Sequence, residues 1–141
     1  SRMSILQPGW LNGCCLRPCF FEPAFHKHAG LTCSGVQIHT DHSAYRHEQF
    51  KPYRFAALVL KSIRLDYPDY EIWRRFPYEY ETERLAIDLL SGGTLLRDWV
   101  DDVSFTPGDL EERLKEDEEK WLAQRQPFLR YLPGTSEVPG K

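Results

Sequence analysis

The chain reads as an α+β domain: a small mixed or antiparallel sheet, one long central helix, and C-terminal helices packed on it. Three observations predict this. Runs of strand composition occupy the first third of the chain, a 3.6-residue apolar period begins near Pro52, and shorter helical patterns follow. The order strand, strand, helix, extended pieces, helices groups like with like, unlike the alternation of a βαβ series.

Residues 1–13 read as a linker or expression remnant, with Pro8-Gly9 and Asn12-Gly13 as turn dipeptides and Met3 as the only methionine. From Cys14 to Phe25, "CCLRPCFFEPAF" has strand composition interrupted by Pro18 and Pro23. Proline donates nothing to a ladder, so an edge or bulged strand is expected. Lys27 to Thr32 forms a connecting turn containing Gly30, and Gly35 opens a strand over 36–40. There Val36, Ile38 and Thr40 alternate with Gln37, His39 and Asp41, the period of a half-buried strand. Its wet side would carry an amide, an imidazole and a carboxylate.

A helix is predicted from Pro52, whose missing N–H is harmless in a first turn, to Tyr67, where Pro68 stops it. Its apolar stripe would be Phe55, Ala56, Val59, Leu60, Ile63 and Tyr67. "YEIW" and "YEYETE" read as extended pieces, the second with Tyr78, Tyr80 and Thr82 opposite Glu79, Glu81 and Glu83. "LAIDLL" is a short helix ended by Gly92-Gly93, and Thr94 is placed to cap another through Val100. Thr106-Pro107-Gly108-Asp109 opens the last helix, with Leu110, Leu114, Trp121 and Leu122 as a sparse stripe among solvated charge. Glu111–Lys115 and Glu116–Lys120 support it, Pro127 ends it, "FLRYL" is expected to pack back, and 133–141 form a polar, frayed tail. One domain over 14–132 is the expected organisation.

Apolar residues at 41% and charged residues at 28% describe a folded chain. A net charge of −3, with Lys and Arg interspersed among acids, argues against binding nucleic-acid backbones. The longest apolar run, "FAALVL", is far too short to span a bilayer, and the first dozen residues lack the apolar core of a signal peptide. Cys14, Cys15, Cys19 and Cys33 are spaced CC-x3-C-x13-C, without paired C-x2-C knuckles, so small sheltered thiols are expected in preference to a zinc centre that also drew on the five histidines. No metal and no cofactor is expected.

No nucleophile elbow, phosphate loop or H-E-x-x-H occurs. The informative clusters are polar residues in aromatic frames: Glu22 in "FFEP", Gln37 and His39 on one strand face, Glu79 between Tyr78 and Tyr80, and Asp88 in "AIDLL". A carboxylate among rings can be held protonated by desolvation, and sugar rings stack on aromatics while carboxylates and amides bind their hydroxyls. The bland readings are a structural histidine, a solvated glutamate face, and an Asp88 bonded to nearby backbone.

Four segments together resemble one family: F-x-P-x-F (Phe21, Pro23, Phe25), C-x-G-V-Q-I-H (Cys33, Gly35 to His39), P-Y-E-Y-E (Pro77 to Glu81) and I-D-L-L-x-G (Ile87 to Gly92). They are similar to the C-terminal part of the NamZ family of bacterial exo-β-N-acetylmuramidases, over about Gly13 to Leu132. The resemblance implies a peptidoglycan-recycling glycoside hydrolase that releases N-acetylmuramic acid from the non-reducing end of muropeptide or glycan fragments. It implies two parts, an N-terminal Rossmann-like domain carrying the proposed catalytic glutamate and a C-terminal domain, with the active site between them. Only the second part has a counterpart here. The expectation is therefore an auxiliary half, without catalytic residues of its own and inactive alone, that partners the N-terminal domain in cis or in trans. Carried onto this sequence, the motifs suggest that Glu22, Gln37, His39, Tyr78 and Glu79 face the sugar cleft, with Lys27 meeting the lactyl carboxylate as a point charge. A stand-alone carbohydrate-binding or interaction module without chemistry is the alternative.

Overall fold

The computed structural model describes residues 7–131. Residues 1–6 of the expected linker and the expected tail lie outside the described residues. The chain is α+β and divides into two compact units, before and after the Ser104–Phe105 junction.

The first unit opens with a 3-10 turn, Pro8–Leu11, and an antiparallel pair, β1 (Cys15–Phe21) and β2 (Cys33–His39). Three helices follow: α1 (Pro52–Asp66), α2 (Ala86–Leu90) and α3 (Leu95–Asp101). The segment read as linker contributes to the core, because Trp10 is buried and its ring lies 6.4 Å from that of Trp99. α1 packs against α3 and against the 3-10 turn, and α2 packs against α3. Phe55, Leu58, Leu96, Trp99 and Val100 fill the space between them.

The buried face of α1 is not the expected stripe. Arg54, Phe55, Ala57, Leu58, Lys61 and Ser62 are buried, while Ala56 and Tyr67 are exposed and Val59, Leu60 and Ile63 are half-buried. The rotation follows from Lys61, which sequence counting treats as polar. Its aliphatic stem lies in the core, and its ammonium donates to the carbonyls of Trp99 and Asp102, both at 2.6 Å, at the C-terminal end of α3. A cation there satisfies carbonyls that have no partner within the helix and meets the negative end of its dipole. The ammonium also stands 4.7 Å from the centre of the Trp99 ring. Ser62, buried on the same face, donates its hydroxyl to the Leu58 carbonyl at 2.8 Å.

The hairpin runs in unbroken register, with Cys15 opposite His39, Pro18 opposite Val36 and Phe21 opposite Cys33. No bulge forms at Pro18. In a two-stranded ribbon each strand keeps one unpaired edge, so a proline is tolerated. Opposed side chains share a face. One face carries Cys15, Arg17, Cys19 and Phe21 with Cys33, Gly35, Gln37 and His39; the other carries Leu16, Pro18 and Phe20 with Ser34, Val36 and Ile38. The half-buried alternation expected for 36–40 does not form: Val36, Gln37 and Ile38 are all exposed, and His39 is the sheltered residue of that run. The reason is architectural, since no second layer covers the apolar face of the ribbon among the described residues. Gly35 is fixed by packing, because a Cβ there would lie 3.0 Å from the Phe21 ring.

"YEIW" and "YEYETE" form no strands. The second makes a tight turn in which the Tyr78 and Glu81 backbones exchange two hydrogen bonds of 3.0 Å, with Glu79 at φ +54°. Tyr80 at its tip is fully exposed. α2 ends as expected, with Gly92 at φ +80°. Thr94 precedes α3 without making a side-chain cap. Asp88 does not bond the backbone; it forms a forked pair with Arg97 at 2.9 and 3.0 Å, tying α2 to α3.

The second unit is α4 (Pro107–Arg125) and a 3-10 turn, Gln126–Phe128. Its opening cap forms as the sequence indicates: Thr106 donates its N–H and hydroxyl to Asp109 at 2.7 and 2.6 Å, which holds the Asp109 carboxyl below its ordinary range. Glu116 and Lys120 pair at 2.7 Å. Leu110 is buried, but Trp121 and Leu122 are exposed, and so are Phe128, Leu129 and Tyr131 of the "FLRYL" segment expected to pack back, whose Leu132 lies outside the described residues. No helix among the described residues is long and apolar enough to cross a membrane.

Candidate functional site

The connection from β1 to β2 brings the hairpin tip against the segment between α1 and α2. His26 and His28 adopt φ of +62° and +61° and Gly30 +73°, so the chain reverses through three left-handed residues in five positions. Lys27, between the two histidines, places its ammonium 5.6 Å from the centre of the Phe76 ring. That contact closes one side of a concavity of about 460 Å³ lined by Lys27, Glu71, Arg74, Arg75 and Phe76.

A polar node holds the segment that leads into the concavity. Arg64 on α1 donates to Asp101 at 2.9 Å and to the carbonyls of Pro68 and Tyr70 at 3.0 and 2.9 Å. Trp73 donates its indole N–H to the other Asp101 oxygen at 2.8 Å. The chain from 68 to 73 is thus pinned to α1 and α3, and Arg74 to Phe76 emerge from a fixed base. Phe76 also borders two neighbouring depressions. One is apolar, with Leu60, Ile72, Trp73 and Ile87 in its walls; the other is polar, with Thr82, Glu83 and Arg84.

The second depression is shaped by Glu81. Its carboxylate accepts from the N–H groups of Glu83 and Arg84 at 2.9 and 3.3 Å and from the Arg84 guanidinium at 2.8 Å. The backbone N–H of Glu83 is the main cause holding its pKa at about 2, against an ordinary 4.5. Because folding depresses this pKa, the contribution of Glu81 to the turn is fully present above pH 4.5 and is lost as pH falls through about 2. A carbon-detected NMR titration is expected to place the Glu81 midpoint near 2; a midpoint at 4.5 would show that the turn is not locked in this way.

Of the six residues assigned to the cleft from sequence, one, Lys27, lines the concavity. Glu22 is exposed just beyond β1, and Gln37 is exposed in β2, across from Arg17. His39 lies at the far end of the ribbon, six residues along β2 from Cys33, or roughly 20 Å at strand spacing. Its ring is 19% exposed, its Nδ1 is 3.6 Å from Asp41, and its buried Nε2 has no partner. Tyr78 and Glu79 stand in the tight turn that follows Phe76 and Pro77. The structure therefore joins Lys27 to Phe76 and separates His39 from both.

Sequence reading missed Arg74 and Arg75. The signal was "WRRFP", an adjacent basic pair inside an aromatic frame. All four cysteines are free thiols of intermediate exposure, and burial is the larger of two causes raising Cys14. No group of three or more His, Cys, Asp or Glu among the described residues is arranged to hold a metal.

The concavity thus combines three cations, one carboxylate and an aromatic ring. The family that this domain represents follows from its sequence: residues 2–131 match the model of the exo-β-N-acetylmuramidase NamZ C-terminal domain, and the chain belongs to that family. No curated protein and no solved structure matches it.

Proposed function

We propose that this chain is the substrate-contacting half of an exo-acting muramidase of peptidoglycan recycling, and that the chemistry needs a second, Rossmann-like domain. Membership of the family over nearly the whole chain is the observation that carries this reading. Glycoside hydrolysis uses two carboxyl groups flanking the scissile bond, roughly 5–9.5 Å apart according to mechanism. Here the concavity is lined by one carboxylate, Glu71, among three cations, a composition suited to holding substrate. Lys27 contacts the acidic substituent of the sugar, and Glu22, Gln37, His39, Tyr78 and Glu79 border the larger cleft completed by the partner domain.

The apolar face of the hairpin supports a docked partner. Leu16, Pro18, Phe20, Val36 and Ile38 form one side of the ribbon, with Phe20 78% and Val36 52% exposed. A contiguous uncovered patch of this kind marks an interaction surface. The test is turnover of a chromogenic N-acetylmuramic acid glycoside. The isolated chain is expected to show none, and adding the N-terminal domain of a family member is expected to restore it. Turnover by the isolated chain at the rate of a complete enzyme would overturn the proposal.

A further inference from the structure

We propose that Arg74 and Arg75, with Lys27, form a carboxylate-binding subsite over the Phe76 ring, and that this subsite selects an acidic saccharide by its charge. The inference rests on the cleft reading above for the saccharide but on separate observations for the charge. Arg74 and Arg75 make no hydrogen bond or ion pair with any described residue, and the ammonium of Lys27 faces only the Phe76 ring. Three other arginines of this unit are neutralised, Arg64 by Asp101, Arg84 by Glu81 and Arg97 by Asp88. Three cations against one carboxylate, Glu71, thus converge on one concavity in a chain whose net charge is −3. Low-dielectric walls concentrate such a field, and a guanidinium presents a planar fork that matches a carboxylate.

Size and floor agree with a sugar ring. The concavity of about 460 Å³ falls in the range of small-ligand sites, and an aromatic floor suits the apolar face of a pyranose. Glu71, the one acid on the wall, is placed to accept from a hydroxyl or an acetamido N–H of the same ligand. The pinned segment from 68 to 73 fixes the backbone from which both arginines extend, so ordering on binding falls on their side chains.

The full chain is titrated with N-acetylmuramic acid, with its lactyl amide, with N-acetylglucosamine and with lactate, following backbone amide shifts by NMR. The acid is expected to move residues 27 and 71–76, to weaken with added salt, and to bind about tenfold or more tightly than the amide. The double variant Arg74→Gln, Arg75→Gln, which removes no hydrogen bond or ion pair to a described residue, is expected to keep a folded spectrum and to lose the preference for the acid. Equal binding of acid and amide would overturn the charge-selecting subsite and leave the cleft reading standing. Lactate moving the same residues as strongly as the sugar acid would uphold the subsite and remove the saccharide. Absence of shifts with all four compounds would overturn the subsite and leave the cleft reading to the turnover assay with the second domain.

Discussion

Replacing Lys61 by alanine is expected to lower the unfolding free energy by about 3–5 kcal/mol, a large fraction of the stability of a domain of this size. Two effects combine. The ammonium, 1% exposed, is removed from the Trp99 and Asp102 carbonyls, and the hole left by the stem lies beside Trp99, itself 2% exposed. Lys61→Met separates them, since it keeps the volume and removes only the charge and its donors. The methionine variant is expected to lose about 2–3 kcal/mol, the cost of leaving two sheltered carbonyls without a donor. Urea unfolding curves measure both. A methionine variant as stable as the parent would show that the ammonium contributes nothing at the end of α3.

Gly13→Ala is the second large effect, expected at about 3 kcal/mol or more. At φ +83°, a Cβ would meet the Phe50 nitrogen at 2.5 Å and the Arg46 carbonyl oxygen at 2.7 Å. Both are backbone atoms, so no side chain can swing aside. The same segment donates the Arg46 N–H to the Gly13 carbonyl at 2.9 Å, so relieving the clash breaks that bond. Gly92 is the control. It has nearly the same φ, +80°, with nothing within 4 Å of an added Cβ, so Gly92→Ala is expected to cost only the left-handed strain of about 1–2 kcal/mol. Thermal melts of the two variants in parallel distinguish clash from strain. Equal losses would mean that the 46–50 segment moves freely away from Gly13.

What the sequence disclosed was local. The Thr106–Asp109 cap, the stop after Leu90 and the proline-led start of α1 depend on residues within one turn of each other, and each is present. Features governed by distant packing were hidden. The face of α1 turned inward because a lysine found carbonyls 38 and 41 residues away, which no periodicity registers. Tyr78 to Glu83 alternates like a strand, yet Glu81 captures two following N–H groups and closes a turn. Lys27 was legible as a candidate through the family motifs. Arg74 and Arg75 were not, because what marks them is their convergence with Lys27 on one concavity, a matter of distant placement.

The bare side of the hairpin has a thermodynamic corollary. A lone two-stranded ribbon draws little stability from its own ladder, so its amide hydrogens should exchange with solvent well before those of α1 and α3. Lys27 rides on the tip of that ribbon. Any molecule that shields Phe20 and Val36 therefore also steadies the ammonium above Phe76. Affinity for a small acid and association with a large neighbour become linked quantities, each strengthening the other by the same factor.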